Sequence, residues 1–547
     1  MKAGSNRRLA NVKTRTETGL EFVLRGLSIQ TPHGQKVLKE LKPFFPGEES
    51  LLREELDRTE QMGAFAETRP ELVDALMLTF MCMKDIGGTL ERCRKQALSE
   101  IELFEVKTFL LNMTAIRATC QKAEGAMDDS FVPPDVTEAL SILDPNGERM
   151  NTFYLYDDFS ETLGALRREK KELERSLRKI QKEKRAQIRK EYGLELTPKF
   201  DVVIPKSSPM LETAKAIPWL ELDGEDYMSM TFRLRGDEQF DQMTDKMETL
   251  TGQIEAEEEV VCGQLSGKLA SHIDQMEECA RRVGELDYTL AKAAYAKRHQ
   301  MVKPTITEAH QVSFREGRML QVESILQGKG KTFCPISLDL VDGVTCITGA
   351  NMGGKTISLK LAGLIPIMAQ YGFFVPCQEA TIGLSNFMQL LIGDSQSVER
   401  GLSSFGSEME ELKEILDHAQ DRSVILIDEI ASGTNPVEGL ALTRSLIDHM
   451  KKKPYITLIT THFEAAAEDG EVRNMQVRGL AEADFDKLNS ELRYANRRQR
   501  IDIIGKYMDY RLWSVETNRK IPRDALNIAK MLGLDPVIIE GAKKYIE

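Results

Sequence analysis

Cysteine is scarce, with eight residues in 547, at positions 82, 93, 120, 262, 279, 334, 346 and 377. None forms a C-x-x-C pair, and none stands at ligand-like spacing from a histidine. That pattern excludes a disulfide framework and a zinc module, and it suits buried thiols in a reducing cytoplasm. Long apolar runs are also missing. The longest, Leu359 to Val375, is interrupted by Gly363, Pro366, Gln370 and Gly372, so it is too short and broken to span a bilayer. A buried helix followed by a strand is expected there, and no membrane partner. Met1 to Thr18 is polar and basic, without the apolar centre of a secretory leader. Positive charge is in deficit: 73 Lys and Arg stand against 86 Asp and Glu, a formal net charge of −13. Any surface that binds nucleic acid must therefore concentrate its cations locally.

What is present is a chain too long for one core, with 41% hydrophobic and 29% charged residues. From residue 16 to about 150 it reads mostly as helix. Leu20, Val23 and Leu24, then Val37, Leu38 and Leu41, recur at helical spacing, with a break at Thr31-Pro32-His33-Gly34. Pro133-Pro134 and Asp144 to Gly147 mark loops. A long charged helix is expected from Ser160 to about Tyr192, with a seam at Leu166, Leu173, Leu177 and Ile180. Between Leu166 and Lys190 it carries twelve Lys or Arg against four Glu. A second long helix is expected from about Asp237 to His299, seamed from Phe240 and Met243 through Leu265 and Ile273 to Leu290. Two seamed helices around a short insert read as an antiparallel coiled coil. The insert, 193–235, has strand-like pieces at Phe200 to Ile204 and Tyr227 to Leu234.

From about 305 to 480, strands alternate with helices, the pattern of a parallel sheet covered by helices. From about 500 to 547 the reading is helix, turn, helix, with Ile521-Pro522-Arg523-Asp524 opening the first and Leu534-Asp535-Pro536 before the second.

The strongest local signal is Gly349-Ala350-Asn351-Met352-Gly353-Gly354-Lys355-Thr356, a complete G-x-x-x-x-G-K-[ST] loop. A β-branched run, Val344 to Thr348, precedes it, and a helix start, Ile357 to Leu364, follows. Strand, glycine-rich turn and helix together aim backbone N–H groups at one spot, which binds phosphate. Lys355 would reach the β- and γ-phosphates of ATP, and the Thr356 hydroxyl would ligate Mg2+. The second signal is Val424-Ile425-Leu426-Ile427-Asp428-Glu429, a buried strand ending in two carboxylates. The carboxyl ends of such strands form the ligand edge of an open α/β sheet. Asp428 is placed to hold Mg2+, and Glu429 to orient and deprotonate an attacking water. A third strand, Tyr455 to Thr460, leads to Thr461-His462, where the histidine can donate to a γ-phosphate.

These segments, with Asp428-Glu-Ile-Ala-Ser-Gly-Thr-Asn-Pro436 and Thr460-Thr-His-Phe463, resemble the MutS family of ATPases. Ala369 to Pro376 is similar to that family's middle stretch, and Gly393 to Ser397 with Gly401 to Met409 to its signature loop; these last two, with Asn435 to Gly439, are closer to its second type. The resemblance is strong over about 320 to 470. It implies an ABC-like α/β P-loop ATPase domain with a mostly parallel sheet, joined to an all-α core with a long antiparallel coiled-coil arm. The domains expected are a helical core over 1–158, a lever arm over 159–300 with its tip at 193–235, the ATPase domain over 301–485, and dimerising helices over 486–547. It also implies a dimer, of identical or related subunits, with composite sites: Ser403, Ser404 and Phe405 match the loop that faces the partner's nucleotide, and Asn351 matches an asparagine beside the attacking water. The family's mismatch-reading and connector domains and a terminal nuclease domain are expected to be absent.

The basic face of the first arm helix is a candidate surface for DNA phosphates: Arg167, Arg168, Lys171, Arg175, Arg178, Lys179, Lys182, Arg185 and Arg189. The alternative is a solvated face paired with the acidic second helix, where Glu255, Glu257, Glu258 and Glu259 cluster. Two functions follow. One is a DNA-associated ATP hydrolase on branched or distorted duplexes. The other is a protein-remodelling ATPase, as in short MutS-like proteins linked to reactivation of adenosylcobalamin-dependent aminomutases.

Overall fold

The β-branched runs of the second half become one six-stranded sheet, in the order Asp509–Ser514, Arg473–Gly479, Gly343–Thr348, Tyr455–Thr460, Ser423–Asp428, Phe387–Ile392. Five strands are parallel, and only Asp509–Ser514 at one edge runs antiparallel. Ser423–Asp428 and Tyr455–Thr460 are buried along their whole length, as parallel strands covered on both faces must be. The computed structural model describes residues 7–123, 125–349, 354–393, 404–467, 470–480, 483–493, 496–515 and 524–545. By its contacts the chain divides into two units: residues 1–81, 119–132 and 282–547, and residues 82–118 and 133–281.

In the first unit the sheet packs on the helix Gly354–Gln370, which buries 14 of its 17 residues. Burial on nearly every side explains its mostly apolar composition, and no helix among the described residues is long and apolar enough to cross a membrane. It begins at Gly354, three residues before the helix start expected from sequence. The strand expected directly after it does not form. Val375 makes a single bridge to Val302, and the next strand, Glu379–Gly383, belongs to a separate four-stranded sheet. Gly372 at φ +75° turns the chain, and Pro376 has no N–H for a ladder. Asp509–Ser514 falls where the sequence pattern suggests only helix and turn. It is a strand because it pairs with the exposed side of Arg473–Gly479, Val477 opposite Leu512 and Gln476 opposite Trp513. The helices Asp524–Leu532 and Pro536–Lys543 follow, the second capped by Asp535. All eight cysteines are free thiols, and six of them are buried.

In the second unit, Glu161–Tyr192 is capped by the Ser160 side chain on Leu163 N and stopped by Gly193, left-handed at φ +63°. Its neighbour Glu238–Ala270 is capped by Asp237. The two run antiparallel, with ion pairs Arg167–Glu258, Glu169–Lys246 and Lys184–Asp237, each at 2.7 Å. The second helix does not continue to residue 299 in one piece. It stops at Ser271, whose hydroxyl turns back onto Lys268 O at 2.9 Å, and a separate helix, Ile273–Arg298, follows. The insert folds into a three-stranded sheet, Asp201–Pro205, Ser229–Leu234 and Leu220–Glu225, around Ile188, Leu196, Ile204 and Phe232. Leu220–Glu225 leaves no trace in the sequence pattern: all but its first residue are exposed, so it has no alternation to read.

Candidate functional site

Three parallel strands, Gly343–Thr348, Ser423–Asp428 and Tyr455–Thr460, deliver their carboxyl ends to one edge, with Asp428 beside Thr460 and Thr460 beside Ile347. Gly349 leaves the first strand at φ +120°, a backbone conformation that L side chains rarely adopt. The helix Gly354–Gln370 then presents Lys355 and Thr356 to the same edge. Of the sequence-derived candidates, Ala350, Asn351, Met352, Gly353 and Ser403 lie outside the described residues. Ser404 opens the helix Ser404–His418, and Phe405 packs partly buried on the apolar cluster beneath.

Two groups of side chains meet here. In the first, Thr356 Oγ1 donates to Asp428 Oδ2 at 2.8 Å, and Thr460 Oγ1 donates to the other oxygen, Oδ1, at 2.5 Å. A hydroxyl and a carboxylate oxygen 2.8 Å apart suit Mg2+, whose bonds of about 2.1 Å at right angles set neighbouring oxygens about 3 Å apart. No cluster of three or more His, Cys, Asp or Glu suited to a metal occurs among the described residues. A hard ion here would thus complete its shell with water and phosphate oxygens.

In the second group, Lys355 Nζ, 3% exposed, donates to Gly349 O at 3.0 Å and pairs with Glu429 Oε1 at 3.0 Å. It also lies 3.3 Å from His462 Nδ1, and His462 Nε2 is 2.8 Å from Glu429 Oε2. The bond to His462, reinforced by Lys355 and opposed by burial, holds the Glu429 carboxyl down from its usual 4.5 to about 2. Glu429 and Ala431 are non-glycine residues in the left-handed region, at φ +50° and +57°. Such strain persists where surrounding bonds over-determine the backbone. Here Glu429 N donates to Thr460 O and Oγ1, at 3.1 and 3.0 Å, and Ala431 N donates to Glu408 Oε2 at 3.2 Å. The sequence motifs assign no role to Thr460 or Glu408. The readable signal for Thr460 is its place at the end of a strand neighbouring Asp428; Glu408 gives none.

The lowered Glu429 carboxyl has a measurable consequence. Its ionised form is favoured by folding, so its contribution to stability is complete above about pH 4.5 and is lost as pH falls toward 2. Glu429→Gln is expected to be less stable than wild type at pH 7, by at most on the order of 3 kcal/mol. Urea unfolding at pH 7, 4.5 and 3 should show that gap closing with acid; a gap independent of pH would remove the ion cluster as its source.

The candidate phosphate-tracking residues lie in the second unit. Arg168, Lys171, Arg175, Arg178 and Lys182 are exposed and Arg185 partly so, at alternating steps of three and four that make one stripe. Arg167 is tied to Asp157 and Glu258, and Arg189 to Glu195. Arg175, Arg178, Lys179 and Lys182 line a shallow groove.

Residues 345–500 match the family model described as MutS domain V. The segment contains Lys355, Thr356, Asp428, Glu429 and His462. The chain is also 34% identical over 295 residues to an Endonuclease MutS2 of Shouchella clausii, and 34% over 300 residues to one of Clostridium botulinum. A third, from Pediococcus pentosaceus, is 31% identical over 292 residues. The chain carries a MutS domain V, similar to that of the MutS2 proteins. Each alignment takes in 53% of this chain and 34% of the relative, so the chain spans about a third of the length of the curated relatives it matches. The MutS domain V match starts within the strand Gly343–Thr348 and ends within the helix Arg497–Tyr507.

Proposed function

We propose that this protein is a Mg2+-dependent ATP hydrolase that works as a dimer and acts on DNA. The observation that carries the chemistry is the convergence of Lys355, Glu429 and His462 beside the Thr356–Asp428 oxygen pair. Thr356 and Asp428 would hold Mg2+, which draws charge from the phosphate oxygens when bound. Lys355 would bind the β- and γ-phosphates as a fixed cation. Glu429 would align the attacking water. Clamped between Lys355 and His462, its carboxylate is a weak base. Drawing Lys355 Nζ toward phosphate would remove one of the two side-chain partners the carboxylate has among the described residues and make it a better proton acceptor. Lys355 then couples arrival of the nucleotide to activation of the base. Asn351 and, from the partner subunit, the loop at Ser403, Ser404 and Phe405 would complete each site. Two such sites in a homodimer would close on ATP and open after hydrolysis, moving the paired helices Glu161–Tyr192 and Glu238–Ala270 as arms.

The basic stripe supports DNA over a self-neutralised surface. Among the described residues, only Arg167 of the nine cations on the basic face pairs with the acidic cluster on the neighbouring helix, through Glu258. The test is the steady-state ATPase rate with and without duplex, mismatched and branched DNA, at low and moderate salt. DNA should stimulate the rate in a salt-sensitive manner. Arg175→Glu, Arg178→Glu and Lys182→Glu combined should lower the slope of log affinity against log salt by about 2 to 3, since each phosphate left unneutralised removes about 0.9 from it. A basal rate indifferent to every DNA would overturn the DNA assignment and point to a protein client.

A further inference from the structure

Residues 9–19 touch three elements around the nucleotide site at once. Their anchor is the outer strand Phe387–Ile392. Met388 N donates to Leu9 O at 2.7 Å, Leu390 N to Thr14 Oγ1 at 3.1 Å, and Thr14 Oγ1 to Gln389 Oε1 at 2.8 Å. Leu9, Thr14 and Thr18 are fully buried, so the segment covers a sheet edge that would otherwise expose its ladder groups.

From this edge the segment reaches both helices that meet the site. On the helix Gly354–Gln370, Glu17 pairs with Lys360 at 2.7 Å, and Thr18 lies over Gly363. A Cβ at Gly363 would come within 2.7 Å of Thr18 Cγ2 and 3.0 Å of Leu426 Cδ1. Glycine inside a helix is less stable than alanine, and these close approaches explain its presence. On the helix Ser404–His418, Glu411 pairs with Lys13 at 2.7 Å. One turn away on that helix is Glu408, which accepts from Ala431 N in the left-handed turn after Glu429. Glu429 in turn meets Lys355, at the start of the helix that carries Gly363. The contacts close a ring: phosphate-side helix, residues 9–19, second helix, Glu408, Glu429, and back through Lys355.

We infer that residues 9–19 are a positioning brace, holding Ser404–His418 so that Glu408 fixes the turn that aims Glu429. The inference rests on the ATP-hydrolase reading above. Glu408 and Gly363 are positioning residues here, since both act through Glu429. The ion pairs of the brace are partly exposed and individually weak. The buried Thr18–Gly363 contact and the Glu408–Ala431 hydrogen bond therefore carry the test.

Glu408→Ala is expected to lower kcat by about tenfold to a hundredfold, the cost of a small misplacement of a reacting group, while affinity for a fluorescent ATP analogue stays unchanged. Glu408→Gln retains an acceptor for Ala431 N and should restore most of kcat. Gly363→Ala should lower kcat in the same way, and adding Thr18→Ala, which removes the nearer of the two crowding carbons and leaves Leu426 Cδ1, should recover part of it. Wild-type kcat in both Glu408→Ala and Gly363→Ala would overturn the brace. So would losses that neither Glu408→Gln nor Thr18→Ala repairs, or losses that follow a fall in Tm or nucleotide affinity. A wild-type protein with no ATPase activity would instead sink the ATP-hydrolase reading, so the two failures are distinct.

Discussion

Lys355→Ala is expected to abolish measurable nucleotide binding at micromolar concentrations. Lys355 is the cation at the start of the helix Gly354–Gln370, buried to 3% exposure and pointed at the strand edge. A charged hydrogen bond to phosphate contributes about 1.5–3 kcal/mol, so its loss alone weakens binding by about one to two orders of magnitude. Among the described residues, the alanine variant also leaves the Glu429 carboxylate with only His462 as a side-chain partner in a partly buried site. Leaving a charge less compensated costs stability, so Tm should be recorded beside the titration. A fluorescent ATP analogue reads binding directly. Wild-type affinity in a folded Lys355→Ala protein would remove the nucleotide assignment and, with it, the proposed function.

Glu429→Ala should part binding from turnover. The substitution spares Lys355, Thr356 and Asp428, so ATP should still bind. Hydrolysis should slow by about 10²- to 10⁴-fold, the range for loss of a positioned general base. With hydrolysis blocked, the ATP-bound dimer should accumulate in its closed form, visible as an ATP-dependent shift on size exclusion that reverses slowly. Single-turnover kinetics separate chemistry from product release. An unchanged single-turnover rate would strike Glu429 from the catalytic role and leave His462 or Asn351 to align the water.

Much of the site was legible because its signals are local. The G-x-x-x-x-G-K-[ST] spacing, the apolar run before Asp428 and the strand before His462 each occupy fewer than ten adjacent residues. Strand periodicity and glycine placement depend on near neighbours, so a sequence carries them without knowledge of the fold. The cap residues Ser160 and Asp237, which open the two long helices, were readable for the same reason. Three features have no such local signal. Asp509–Ser514 is a strand only because Arg473–Gly479 offers it an edge. Leu220–Glu225 is exposed and acidic, with no buried face to impose alternation. The stop at Ser271 carries no glycine or proline to announce it, and the apolar seam continuing through Ile273 concealed it.

Sequence alone determined which chemical groups are available here: a lysine and a hydroxyl at a helix start, two carboxylates and a histidine after buried strands. Only the tertiary structure decided how they engage. Strand register set Thr460 beside Asp428, 32 positions away, and so chose which hydroxyls share that carboxylate. Packing brought Glu408 to Ala431 and Thr18 to Gly363, and the same packing sustains left-handed backbone at Glu429. The physical reason is range. Helical and strand periods encode which face a side chain takes, but a hydrogen bond between distant residues exists only once the core has fixed their separation to a fraction of an ångström.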